Sequence, residues 1–255
     1  MGGDGPEVVF LSNPLADPVR WSEPVRPRLQ ALGYRVTTFE HRCVGLDWRS
    51  AVACATEFVR SQPDPVAVVG WSQGGAVAQE VALALPEHVT CAALLATYGR
   101  QNEVDKTFQE CWDLLAQGGD ELAPLRLAMS LLTAFPPARL ADDTFVARMR
   151  QTGSESAGRP DPARRRRSAQ FIATYQDRLE ALTRVRVPTL VMAFALDADT
   201  FARRAREVAE AIPDADFMEL PGLGHAAPIS DPDRVWPPVL EFLQRHHTDR
   251  TARGA

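Results

Sequence analysis

The stretch Pro65-Val66-Ala67-Val68-Val69-Gly70-Trp71-Ser72-Gln73-Gly74-Gly75 decides the fold. Its first half is a short apolar run rich in valine, which reads as a buried strand. The residues after it, Ala76 to Leu85, are rich in alanine and leucine and read as a helix. Strand, Gly-x-Ser-x-Gly, helix is the pattern of a nucleophile elbow. The serine must sit on a sharp, strained turn so that its hydroxyl projects beyond the sheet. Side chains at Gly70 and Gly74 would collide where strand and helix pass closely, so both positions call for glycine.

Further strands read outward from this point. Glu7 to Ser12 is the first strand, Tyr34 to Phe39 the second and Val66 to Val69 the third. Val89 to Ala96, Val187 to Ala195 and Asp216 to Leu220 follow as fourth, fifth and sixth. Between them lie helical stretches. One begins at Pro24 and Pro27 and is ended by Gly33, one covers Arg49 to Arg60, and one covers Phe201 to Ile212. A last helix runs to His246, with its regular part expected to begin near Pro237 and Pro238. Alternation of strands and helices predicts an α/β fold: six parallel strands covered on both faces, in spatial order 2-1-3-4-5-6. The second strand is then an edge, a place where a second subunit could dock.

From Gly99 to about Arg186 the alternation stops. Several helical stretches and no convincing strand fill the region, with Thr152 to Pro162 read as a loop. Residues 1–98 and 187–255 are therefore expected to form the core, and residues 99–186 a helical cap over the strand ends. Phe108, Trp112, Leu115, Met129, Leu132 and Phe135 are expected to serve mainly the cap's own core, with a minority facing substrate.

Composition sets outer bounds. The 255 residues suit one domain with an insertion, and an apolar share of 45% is enough for a sizeable core. A net charge of −5 disfavours nucleic acid or an anionic membrane as a partner. No stretch is long enough to span a membrane and no signal peptide is visible, so a cytoplasmic enzyme is the expectation. Cys43, Cys54, Cys91 and Cys111 show neither metal-ligand nor disulfide spacing, and Cys54 and Cys91 read as small core residues. No cofactor or metal is called for.

A nucleophilic serine needs a base, and the base needs an acid to orient it. His225 lies in the glycine-rich segment Pro221-Gly222-Leu223-Gly224-His225-Ala226, after the last strand. His41, His88, His246 and His247 compete, but His41 precedes the serine, His88 sits in a polar turn, and His246 and His247 read as a solvated tail. The order nucleophile, acid, histidine favours His225. The acid belongs just beyond the fifth strand, where Asp197 comes first and Asp199 is the alternative, able instead to cap the next helix. An oxyanion hole needs two backbone N–H groups. Gln73 offers one, and the loop after the first strand the other, at Leu15, because Pro14 has none. Asn13 and Trp71 are candidate pocket residues. Trp71 can equally pack behind the elbow. Arg164 to Arg167 form a basic run that could grip an acidic partner or simply face water.

These motifs together resemble the α/β-hydrolase superfamily over nearly the whole chain. They are Leu11-Ser12-Asn13-Pro14-Leu15, Gly70 to Gly75, Val187-Pro188-Thr189-Leu190-Val191-Met192 with Leu196-Asp197, and Pro221 to Ala226. Within it the chain is most similar to the branch of 3-oxoadipate enol-lactonases and related esterases. Departures surround the pocket: Pro14, Ala16, Cys43 and Phe194 stand where the branch carries other residues, so its substrate is not carried over. The family's leading antiparallel hairpin is expected to be absent. The resemblance implies hydrolysis of an ester, lactone or thioester of a small acyl substrate. An alternative is the same triad used for acyl transfer, cyclisation or elimination in secondary metabolism, and a third is a binding protein without catalysis.

Overall fold

In the computed structural model, residues 5–11, 21–39, 47–156, 170–197 and 201–248 are described. Six strands, β1 (Glu7–Leu11), β2 (Arg35–Phe39), β3 (Val66–Trp71), β4 (Val89–Leu95), β5 (Thr189–Phe194) and β6 (Asp216–Leu220), form one sheet. Its order is β2-β1-β3-β4-β5-β6 and every pairing is parallel, as expected.

The two faces of the sheet are separated by the period of two. Val9, Leu11, Val66, Val68, Leu94, Val191 and Ala193 point to one core cluster. It is covered by α2 (Trp48–Arg60), α3 (Gln73–Ala84) and α9 (Phe201–Ala211). Val8, Phe10, Ala67, Val69, Leu95, Met192 and Phe194 point to the other. That face is covered by α1 (Arg26–Ala31) and α11 (Pro232–His246). Since β1, β3, β4 and β5 bury both faces, their sequences are continuous apolar runs rather than alternating ones.

Three local expectations are corrected. First, α11 is continuous from Pro232 and passes through Pro237 and Pro238. The two prolines remove at most two intrahelical bonds. Burial of Val235, Trp236, Val239, Phe242 and Leu243 along one face holds the helix across the gap. Second, Cys54 is disulfide-bonded, against the reading of four unpaired cysteines, while Cys91 and Cys111 are free. Cys91 is a core residue as expected, and burial pushes its thiol up to about 12. Third, His247 is not in a solvated tail but 1% exposed. Its Nδ1 shares a 2.7 Å hydrogen bond with Thr90 Oγ1, its ring stacks on Tyr34, and the Tyr34 hydroxyl donates to its carbonyl at 3.0 Å.

That burial has a consequence in pH. Desolvation lowers the His247 pKa from 6.5 to about 4. The unfolded chain binds this proton more readily, so the contribution to stability is fully present above pH 6.5 and is lost as pH falls towards 4. Between pH 7 and pH 5 the loss amounts to about 2 kcal/mol. Urea denaturation at the two pH values should show it, and His247→Gln should lose most of that difference. Equal pH dependence in the two proteins would refute the assignment.

Residues 99–186 hold α4 (Glu103–Gln117), α5 (Ala123–Ala134), α6 (Pro137–Leu140), α7 (Asp143–Ser156) and α8 (Leu179–Leu182), and no strand among the described residues. Helix α7 runs to Ser156, so the beginning of the expected loop from Thr152 is helical. Helix α4 starts in a capping box, in which Asn102 Oδ1 accepts from Asp105 N and Asp105 Oδ2 from Asn102 N. The inserted helices have little interior of their own. Of the six apolar residues expected to build one, Leu115 is buried, Leu132 is 65% exposed, and Phe108 and Trp112 line a cavity. The layer is too thin to enclose a core, so its apolar side chains turn towards the space beneath it.

The insertion leaves and rejoins the sheet at one place. Tyr175 donates through its hydroxyl to the Tyr98 carbonyl at 3.1 Å, and Arg178 N donates to Gly99 O at 2.7 Å. The Arg178 guanidinium grips Glu80 on α3 through two bonds of 2.7 and 2.9 Å. A side chain at Gly99 would strike Leu179, with Cβ 2.5 Å from its Cδ2.

Candidate active site

Ser72 sits between β3 and α3 with φ 57° and ψ −123°. This is left-handed backbone that a serine adopts only when its surroundings hold it. They do so here from three sides. Ser72 N donates to Leu95 O on the neighbouring strand at 2.9 Å. A Cβ at Gly70 would lie 2.4 Å from Gly74 O, so strand and helix meet at backbone contact. A Cβ at Gly75 would lie 2.7 Å from Thr97 Oγ1. The motif's first glycine thus makes room for the backbone of its second, and Gly75 adds a close contact that the five-residue pattern does not contain.

The histidine and the acid come from adjacent turns. The turn after β5 is joined to the segment after β6 by Ala195 N to Leu220 O at 3.0 Å and Leu196 N to Leu223 O at 2.8 Å. This brings His225 Nδ1 to 2.8 Å from Asp197 Oδ2 and 3.0 Å from Oδ1. The Asp197 side chain is fully buried and that of His225 is 21% exposed. A buried carboxylate on Nδ1 favours the tautomer with that proton on Nδ1, which leaves Nε2 as the basic nitrogen. The His225 loop is held from both sides. The Trp71 indole N–H donates to its carbonyl at 3.1 Å, and Ala226 N donates to Ala134 O at the end of α5. Gly224 is pressed against the same carbonyl, which a Cβ there would approach to 3.0 Å.

Ser72 and His225 open on one cavity of about 220 Å³. Gln73, Tyr98, Phe108, Trp112, Thr133 and Ile172 also line it. So do Gln101, Asp105, Gln109, Ala134 and Arg204. Trp71 does not line it. Its ring packs behind the elbow against Trp21, with centroids 5.9 Å apart, and acts on the site through the His225 backbone. Leu15, Asn13, Asp199 and Arg164 to Arg167 lie outside the described residues, as does His41. His88 lies in the turn before β4, and His246 packs on Phe242.

Sequence reasoning missed Arg204. It is 2% exposed, its Nη1 lies 2.6 Å from Asp105 Oδ2, and its guanidinium lies 5.1 Å from the centroid of the Tyr98 ring. Burial pushes the Tyr98 phenol well above its usual range, so it keeps its proton. A signal for Arg204 was present. It stands on the stripe of α9 that includes Ala205, Val208 and Ile212, where a charge requires a buried partner. The partner, Asp105, lies 99 residues away and could not be read.

Among the described residues, no group of three His, Cys, Asp or Glu could hold a metal ion. No described helix is long and apolar enough to cross a membrane.

Comparison with known proteins adds a lineage to this geometry. A model described as the alpha/beta hydrolase family matches residues 10–237. A protein of Mycobacterium tuberculosis named as a non-heme bromoperoxidase, BpoC, is 30% identical over 250 residues, covering 94% of this chain and 95% of its own. Its crystal structure matches with a TM-score of 0.84, covering 96% of this chain and 94% of that one. A pimeloyl-[acyl-carrier protein] methyl ester esterase of Chromobacterium violaceum is 31% identical over 187 residues, 71% of each chain. The enol-lactonase of Burkholderia xenovorans shares the fold, with a TM-score of 0.73 at 19% identity over 95% of this chain and 92% of that one.

Proposed function

Because the chain belongs to the α/β hydrolase family and is an enzyme built on that fold, we propose that it cleaves an ester, lactone or thioester through Ser72, His225 and Asp197. Ser72 Oγ attacks the acyl carbonyl while His225 Nε2 takes its proton. Asp197 holds the imidazole and balances the charge that forms on it. The tetrahedral oxyanion lies against backbone N–H groups, that of Gln73 at the N-terminus of α3 and that of Leu15. His225 then protonates the leaving group, and water activated by the same histidine releases the acid. Residues 99–186 act as a cap over this site, and residues 1–98 and 187–255 as the core that carries the catalytic groups.

One observation carries the reading. A strained serine and a histidine held at 2.8 Å by a fully buried carboxylate open on the same small cavity. Strain of this kind costs of order 1–3 kcal/mol and persists where function demands it. The relative named as a methyl ester esterase supports the ester class. The name of BpoC raises a second acceptor. If hydrogen peroxide replaced water at the acyl enzyme, the product would be a peracid, an oxidant for bromide.

Labelling tests the nucleophile. A fluorophosphonate should modify the folded protein once, and peptide mass spectrometry should place the adduct on Ser72. Labelling of another residue, or none, would remove the proposal. Assay of the labelled and unlabelled protein for ester hydrolysis and for peroxide-dependent bromination then separates the two acceptors.

A further inference from the structure

The cavity wall is not the plain apolar surface that a general esterase needs. Arg204 enters it from α9 and Asp105 from α4, joined at 2.6 Å. Gln101, Gln109 and Thr133 flank them, while Phe108, Trp112 and Ile172 supply the apolar remainder. From this arrangement we infer that the enzyme selects short acyl groups carrying a neutral oxygen, such as a ketone or amide carbonyl, over carboxylates and plain alkyl chains. The inference rests on the proposed role of Ser72 and names the substrate class of that same site.

Charge decides against a carboxylate. The cation of Arg204 is already compensated by Asp105, and the attraction of one for an incoming anion is largely cancelled by the repulsion of the other. Apart from His225 and the protonated Tyr98 phenol, these two are the ionisable groups among the described lining residues. An anion would give up its hydration without a net positive charge to replace it, which is costly. Polarity decides against a plain alkyl chain. Such a chain would cover the side chains of Gln101, Gln109, Asp105 and Arg204 and displace water from them without offering a hydrogen bond. A neutral carbonyl accepts a hydrogen bond from this wall and loses little on leaving water. Size sets the length. A cavity of about 220 Å³ holds roughly seven water volumes, hence a short acyl chain.

Three benzyl esters isolate the choice: pentanoate, 4-oxopentanoate and hemisuccinate. The second differs from the first by one carbonyl, and from the third by a methyl in place of a charged oxygen. The wild-type enzyme should favour the 4-oxopentanoate in kcat/KM by at least about tenfold over the hemisuccinate and severalfold over the pentanoate. Asp105→Asn keeps a capping acceptor for Asn102 but leaves Arg204 uncompensated. It should raise the hemisuccinate to 4-oxopentanoate ratio by at least about tenfold. Hemisuccinate or pentanoate turned over as well as 4-oxopentanoate overturns the inference, as does an unchanged ratio in folded Asp105→Asn. Turnover of none of the three by protein that labels at Ser72 overturns it too. The wild-type series is decisive if the variant does not fold. Failure of the catalytic proposal looks different: Ser72 is then unlabelled, whatever the order of the esters.

Discussion

Ser72→Ala should lower kcat by about 10⁴- to 10⁶-fold and leave the protein folded. The size follows from the way the three groups act as a unit. Without the hydroxyl no acyl enzyme forms, and His225 held on Asp197 has no proton to take. What remains is binding and whatever the backbone N–H groups do for direct attack by water. The fold should be indifferent, since alanine keeps the Cβ and every backbone bond of the turn, including Ser72 N to Leu95 O. A companion variant checks the strain. Ser72→Gly relieves a φ of 57° at a cost of greater freedom in the unfolded chain. Strain of 1–3 kcal/mol against about 0.4–1 kcal/mol of entropy leaves Ser72→Gly more stable than Ser72→Ala by about 1 kcal/mol. Steady-state kinetics and thermal denaturation of the two proteins measure both effects. Activity of purified Ser72→Ala within tenfold of wild type would refute the mechanism.

Asp197→Asn should cost about 10⁴-fold in kcat, and Asp199→Asn less than tenfold. The carboxylate of Asp197 accepts from His225 Nδ1 through both oxygens, at 2.8 and 3.0 Å, in a fully buried position. An asparagine amide at the same place donates to Nδ1 and drives the proton to Nε2, where the imidazole can no longer accept from serine. It also leaves the imidazolium of the transition state without its counter-charge. Stability should change far less than activity, because shape and volume are kept. Parallel kcat measurements on the two variants decide the matter, and the reverse ranking would move the acid to Asp199.

Much of this enzyme was legible in its residues before any coordinates were consulted. Valine runs that bury both faces, broken by helices of ordinary length, leave few arrangements other than a parallel sheet, and right-handed crossovers order it. Gly70 to Gly75 and Pro221 to Ala226 were legible for a related reason. A sharp turn at a strand end restricts the residues on it so tightly that the local pattern carries the chemistry. In each case the determining interactions run between near neighbours in the chain.

Folding had to supply whatever depends on contacts between distant segments. Pro237 and Pro238 lie inside α11 because Val235, Trp236 and Phe242 bury against the sheet, a gain that local propensity does not register. His247 becomes a buried, neutral imidazole only through Thr90 and Tyr34. Trp71 was readable as either a pocket or a packing residue until the position of Trp21 was known. The polar wall is the clearest case. Arg204 on the stripe of its helix announced a buried charge, but Asp105, Tyr98 and Gln109 reach it through the insertion and the sheet end, far away along the chain. Nucleophile, base and acid follow from local backbone constraint, whereas the character of the pocket follows from where the inserted helices come to rest on the core.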